Sequence, residues 1–386
     1  SLRYDESSVF PKSQKGGYFP AVSTGWVVSK EGFWNNDSKI SYLKLRGSWG
    51  QNGSDANLAG NGDIQVYKTV DGAASVVYEG VSGVTPGDLA NPKLTWERSE
   101  QIDLGVDLTA FNGRLNFTAD YYKKTTRDLI IPNGNIIAPP SLGQTVGAIN
   151  GGTVENKGLE FEVGYSDRTQ GGLQYGINLN LSTLKNKVTE IIVPAALVGA
   201  GAPQNNDGVT RFEQGRPLWY FYGYKTDGID PATGKVIKVD TDGVPGITSN
   251  DKTIIGSPQP NLLFGGSFNM SYKGFDFNLM FQGTQGNDIF AAYHQPSRPI
   301  TNKSVEFFND RWVPGKTDAK YPGAANLIES YDTDLMVQDG SYLRIKQIQV
   351  GYNFSKDVVQ TLKLRKLRLY LSLDDYFTFT KYRGLD

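Results

Sequence analysis

The chain has 386 residues, 39 basic against 40 acidic, a single histidine (His294) and no cysteine. Near-zero net charge removes the basic footprint a nucleic-acid partner needs, and one imidazole with no thiol excludes disulfides, thiolate metal sites and multi-histidine centres. The 45 glycines, 21 tyrosines and 19 phenylalanines favour strands and turns over helices.

Ser1-Leu2-Arg3-Tyr4 reads as the end of a strand, followed by strands near Tyr18–Ser29 and Lys39–Gly50. From Gln101 to Phe111, Ile102, Leu104, Val106, Leu108 and Ala110 form one face, and Asp103, Gly105, Asp107 and Thr109 the other. Next, Leu115, Phe117, Ala119 and Tyr121 oppose Asn116, Thr118 and Asp120. Leu159, Phe161, Val163 and Tyr165 oppose Glu160, Glu162 and Ser166; Leu173 to Leu181 alternate with Gln174, Asn178 and Asn180. Leu262, Phe264, Phe268, Met270 and Tyr272 oppose Ser267, Asn269 and Ser271, and Phe275, Phe277, Leu279 and Phe281 oppose Asp276, Asn278 and Gln282. Two more strands are predicted at Ser341–Phe354 and Arg365–Phe379. In the last, Leu367, Leu369, Leu371 and Leu373 share a phase that Asp375 breaks, so a bulge or an end above the lipid is expected there.

No run approaches the ~20 apolar residues of a membrane helix; the most apolar, around Ile191 to Ala202, is interrupted by Pro194 and Gly199. A membrane protein without such helices must be a closed barrel, because only closure satisfies every strand's backbone in lipid. The connections fit that architecture. Asn112-Gly113 and Lys273-Gly274 read as two-residue turns, and Asp167–Gly172 is nearly as short. They alternate with long connections at about 51–98, 125–156, 185–260 and 285–338, the asymmetry of short periplasmic turns and long external loops. A ten-residue strand tilted ~45° rises roughly 23 Å, close to the ~25 Å apolar band of such barrels. None of the six apolar faces between Gln101 and Gln282 carries a charge, and Trp26, Trp49, Trp96, Tyr121, Tyr122, Tyr165 and Tyr272 stand near strand ends, as an interfacial girdle would. A soluble sandwich shares the alternation, but its strands are typically ~5–6 residues and its loops do not divide into short and long sets.

Across essentially the whole chain these segments resemble the SusC/RagA-type TonB-dependent outer-membrane transporters. The resemblance is carried by Gly17-Tyr18-Phe19-Pro20-Ala21-Val22-Ser23 with Trp26 and Glu31, Leu43-Lys44-Leu45-Arg46-Gly47-Ser48-Trp49-Gly50, and Asn91-Pro92-Lys93-Leu94-Thr95-Trp96-Glu97. It continues through Tyr121-Tyr122, Asn156-Lys157-Gly158-Leu159-Glu160, Gly223-Tyr224-Lys225-Thr226-Asp227-Gly228-Ile229, Asp339-Gly340-Ser341-Tyr342-Leu343-Arg344 and Phe377-Thr378-Phe379-Thr380-Lys381-Tyr382-Arg383-Gly384. Asp374-Asp375 depart from the family's pattern, which tends to have Asn before its aromatic run. The resemblance implies an all-β fold in which residues 1–386 form the C-terminal half of a 22-stranded transmembrane barrel, with a plug domain and the TonB-contacting segment outside this chain. It further implies outer-membrane localisation, a SusD-like surface lipoprotein as lid, and import of oligosaccharides, with oligopeptides as the alternative. A β-rich glycan-binding or adhesin protein that does not transport is the reading from another class.

Two clusters are candidate sites. Asp240, Asp242 and Asp251 occupy positions 1, 3 and 12 of a degraded calcium loop. Val244 and Pro245 stand where a ligand and a glycine belong, so a polar turn is the favoured reading. Trp219, Tyr220, Phe221, Tyr222 and Tyr224, flanked by Arg216 and Asp227, could meet substrate or lid; packing of the connection against itself, or anchoring at the rim, is the favoured reading, and Arg216 and Asp227 could equally be structural. Glu160 and Glu162 share a strand face, but a polar lumen explains them without glycoside hydrolysis. No enzyme activity and no cofactor are expected.

Overall fold

The computed structural model describes residues 1–35, 38–56, 89–131, 147–192, 208–291 and 304–384, with short strand segments between 67 and 86 and at 197–199. Parts of the long connections, His294 among them, lie outside these residues.

One antiparallel sheet of 12 strands dominates the fold. All but one follow each other in chain order: β1 (Leu2–Glu6), β2 (Gly16–Val27), β3 (Ile40–Ser54), β4 (Glu97–Ala110), β5 (Leu115–Arg127), β6 (Gly152–Arg168), β7 (Gln174–Thr183), β8 (Leu262–Tyr272), β9 (Phe275–Gln285), β10 (Tyr342–Asn353) and β11 (Arg368–Thr380). The twelfth, Lys185–Ile191, pairs with the start of β6. Such a meander needs only local pairing, and the period-two pattern selects the register because a one-residue slip would turn every side chain over.

Two neighbouring rows of the sheet show how completely the faces separate. Following the pairing from β2 to β11, one row runs Trp26, Leu45, Val106, Ala119, Phe161, Leu181, Phe264, Gly283, Leu343, Phe379. The adjacent row, on the other face, runs Lys44, Asp107, Thr118, Glu162, Asn180, Gly265, Gln282, Arg344, Thr378. The apolar face is not covered by other elements: Leu104 is 56% and Leu369 63% exposed. Soluble proteins rarely leave so large a contiguous apolar surface open; lipid is the solvent that suits it. The buried apolar clusters lie instead among the connections, as in Phe10, Phe19, Leu94, Trp96, Ile130 and Ala148, or Ile131, Val154, Val188 and Phe212.

The apolar face ends in aromatics and then charge. At the end bearing the long connections, Trp49, Tyr121 and Leu159 precede a band in which Lys123 and Lys157 pair with Glu155 at 2.7 and 2.9 Å, and Arg127 with Glu100 at 2.9 Å. At the opposite end, Phe275 stacks on Tyr352 with ring centroids 4.7 Å apart, and Tyr352 on Phe354 at 5.1 Å.

The turns differ from expectation in one case. Lys273 and Gly274 both have positive φ, 47° and 88°, between the paired Tyr272 and Phe275, which is the predicted two-residue turn. The Asn112-Gly113 turn is wider: the last pair is Ala110 with Leu115, and Phe111, Asn112 and Gly113 all have positive φ. The break in phase at Asp375 is a bulge. Gln347 pairs with Asp374 and Ile345 with Phe377, so Lys346 faces two residues. Asp375 adopts φ 51° and meets Lys346 Nζ at 2.5 Å. The extra residue returns Phe377 and Phe379 to the apolar face.

Candidate substrate path and outer rim

Two clusters on the polar face pair their charges internally. Arg46 on β3 reaches across two strands: Nε and Nη2 donate to Asp107 at 2.8 and 3.0 Å, and Nη2 donates to Asp120 at 3.0 Å. Gly105 lies between them, and a Cβ there would collide with Asp120 and the Arg46 guanidinium; the bridge depends on that missing side chain. Asp103 accepts from Ser48 at 3.1 Å and Gln101 at 2.8 Å. On the far side of the sheet, Arg368 grips Asp276 through two nitrogens at 3.0 and 2.5 Å and also donates to Gln349 at 2.7 Å, while Asn353 donates to Asp276 at 2.8 Å. Bidentate charge-assisted pairs of this kind are the strong ones.

Between these ionic clusters, past Glu160 and Glu162 on β6, the wall is lined by neutral groups: Asn178, Asn180, Ser267, Asn269, Asn278 and Gln282. Asn278 donates to Gln347 at 3.0 Å. An amide presents donor and acceptor at once, so this stretch offers hydrogen bonds of either sense to a passing polar molecule without a fixed charge.

The connection from β7 to β8 folds into its own small structure. Short strands Thr210–Phe212, Tyr220–Gly223 and Thr253–Gly256 pair side by side. The aromatic cluster divides between its inside and its surface. Tyr220 is 2% exposed, and its hydroxyl donates to Glu213 at 2.5 Å; burial, then that carboxylate, raises its pKa. Tyr224 is buried and central to a polar knot: Lys238 Nζ stands 3.9 Å and Lys252 Nζ 5.2 Å from its ring centroid, and both ammoniums reach Asp332, at 3.2 and 3.4 Å. Trp219, at φ 54°, packs on Phe212 with centroids 5.6 Å apart. Tyr222 is half-buried under Arg211, whose guanidinium carbon is 4.8 Å from its centroid. Arg216 and Asp227 are exposed. The structure thus leaves Tyr222, Trp219, Arg216 and Asp227 at least partly accessible and turns Tyr220 and Tyr224 inward.

The acidic loop comes together, and one member organises it. The ligand atoms of Asp240, Asp242 and Asp251 lie within 4.8 Å of one another. Asp251 is fully buried and accepts amide N–H groups from Thr248 and Thr241, each at 2.8 Å, and from Asp242 at 3.3 Å. Those amides, Thr248 first, hold its pKa below the usual carboxylate range. Asp240 accepts from Gly243 at 2.7 Å and Asp242 from Val244 at 2.8 Å. Both oxygens of Asp251 are therefore engaged by the loop's own backbone, where a calcium loop would turn a bidentate Glu onto the ion. The donor set fits a self-capped turn better than an ion cage. Sequence reasoning singled out these residues but missed the two ionic clusters of the wall, because which charges meet depends on register between strands far apart in the chain.

Comparison with known proteins agrees with this anatomy. The TonB-dependent receptor P3 of Formosa agariphila is 32% identical over 410 residues, an alignment covering 100% of this chain and 40% of the relative. TonB-dependent receptor SusC of Bacteroides thetaiotaomicron is 28% identical, with 100% and 39% covered. The chain thus spans about 40% of the length of the curated relatives it matches. Among solved structures, the RagAB peptide transporter superposes with a TM-score of 0.81 at 20% identity, covering 99% of this chain and 42% of that one. The family model for the TonB dependent receptor-like β-barrel matches residues 1–375: this chain belongs to that family, and its sheet is the wall of an outer-membrane barrel.

Proposed function

We propose that the protein to which this chain contributes imports oligomeric nutrients across the outer membrane in a TonB-driven cycle. A SusD-like lipoprotein would close its outer side, and oligosaccharides would be the cargo. The observation that carries this reading is the pairing of an open apolar face with an uninterrupted polar one across nine successive strands. Such a wall separates lipid from a hydrated passage. The Arg46 and Arg368 clusters on the polar face satisfy their own charges, whereas the amides between them remain suited to hydroxyl-rich or amide-rich cargo. Trp219, Tyr222, Arg216 and Asp227 on the outer connection are the proposed contacts to substrate or lid.

Oligopeptide cargo is the second reading, favoured by the fold shared with the RagAB peptide transporter. Binding of the purified barrel–lid complex to a panel of glycans and peptides distinguishes the two. Saturable binding of a glycan series with no peptide binding supports the first; the reverse supports the second. Uptake that persists after TonB is removed would refute the driven cycle. A full-length protein without a plug domain would point to a surface glycan-binding or adhesin role instead.

A further inference from the structure

We propose that the connection between β10 and β11 is a membrane foot that binds anionic phospholipid headgroups of the inner leaflet. This connection is the longest at the short-turn end of β4 to β11, and it holds a short helix, α1 (Lys356–Thr361). The helix closes in a Schellman motif: Lys363 N–H donates to the Gln360 carbonyl and Leu364 N–H to the Val359 carbonyl, each at 2.9 Å. The residue in the left-handed position, φ 54°, is Lys363 rather than the glycine that position favours. A side chain is kept where it strains the backbone, and that side chain is a cation.

Depth is set by the aromatic girdle. Phe275, Tyr352 and Phe354 form a continuous stack at this end of the apolar face, which places the hydrocarbon boundary at their rings. Asn353 N–H donates to the Gly274 carbonyl at 2.7 Å, so the foot starts beside the Lys273-Gly274 turn, one residue past the boundary. At headgroup depth it presents apolar side chains that none of the described residues covers: Leu362 is 53%, Leu364 46% and Val358 41% exposed. Lys356, Lys363 and Arg365 are exposed beside them and make no ion pair among the described residues. Only Asp357 opposes them in the segment. Exposed apolar side chains with interleaved cations, continuous with a lipid-facing strand surface, match the chemistry of an interfacial anchor. Each basic residue near an anionic surface strengthens attraction about fivefold.

The test uses the full-length protein in nanodiscs of phosphatidylcholine alone or with one third phosphatidylglycerol. This chain has no cysteine, so Leu362→Cys, with any cysteine elsewhere in the full-length protein replaced by serine, accepts an environment-sensitive dye. The expected result is a blue-shifted emission that lipid spin-labelled near the headgroup quenches, with both effects stronger in the anionic discs. Native mass spectrometry should show phosphatidylglycerol retained in preference to phosphatidylcholine. Replacing Lys356, Lys363 and Arg365 together by Gln should reduce that preference about tenfold or more while the gel shift on boiling stays unchanged. A dye that stays water-like in both discs would overturn the proposal. So would a blue shift that lipid cannot quench, or a lipid preference indifferent to the three cations.

Discussion

An arginine in place of Val106 tests the lipid-facing assignment at its deepest point. Val106 belongs to the apolar row, between Leu45 and Ala119. The first charge on its face of β4 toward the long connections is Glu100, six residues away, or about 20 Å along the strand and about 14 Å in height at a ~45° tilt. The opposite boundary at Phe111 is about as distant. An arginine side chain spans roughly half that height, so it cannot lift its guanidinium into water. The expected cost is ~2–4 kcal/mol of unfolding free energy, the range for a midplane cation on a barrel's outer face. Leu104→Arg, about 9 Å below Glu100, can snorkel and should lose roughly half as much. Thr118→Arg, paired with Asp107 on the polar face, should change stability by less than about 1 kcal/mol. Urea unfolding of the full-length protein in lipid vesicles, followed by tryptophan fluorescence and gel mobility, reads all three. If Thr118→Arg costs as much as Val106→Arg, or Leu104→Arg costs more than either, the two faces are misassigned.

In the acidic loop, Asp251→Asn should cut hydrogen-exchange protection of the Thr241 and Thr248 amides roughly tenfold or more, whereas Asp240→Asn and Asp242→Asn together leave them protected. Equal effects, or protection that depends on added calcium, would favour an ion site instead. Because the folded state lowers the Asp251 pKa, its ionised form stabilises the loop. That contribution is present above the ordinary carboxylate pKa of ~3.9 and disappears as pH falls through the depressed value, so protection should hold at pH 5 and fail only in stronger acid. At the bulge, Asp375→Gly should be near neutral, but Asp375→Val forces a β-branched residue to positive φ and should cost about 1–2 kcal/mol by urea unfolding. Tyr220→Phe removes the hydroxyl that donates to Glu213 and should cost the outer connection about 1–2 kcal/mol in local stability, measured by limited proteolysis between residues 213 and 256.

Alternation along each strand is local information, so the all-β class, the strands and both of their faces were legible from residues two apart. Uncharged phases such as Ile102 to Ala110 and Leu159 to Tyr165 could be assigned to lipid for the same reason. The Lys273-Gly274 turn was equally local. The Asn112-Gly113 turn was not, because whether Phe111 and Arg114 join the ladder depends on where Ala110 meets Leu115. The aromatic run at 219–224 announced itself, yet its division into a buried Tyr220 and Tyr224 and a more open Trp219 and Tyr222 follows from partners elsewhere: Glu213, Lys238, Lys252 and Asp332.

At Asp375 the sequence alone determined that the strand's phase breaks. Only the register against β10 decided that the break is a bulge with Lys346 opposite, since two residues facing one is a property of the pair. The same division holds for the wall. Composition and period required a sheet with one face for lipid and one for water. Which charges neutralise each other on the wet face, Arg46 with Asp107 and Asp120, or Arg368 with Asp276, was decided by the tertiary structure, because hydrogen bonding between strands brings together residues that the chain keeps tens of positions apart.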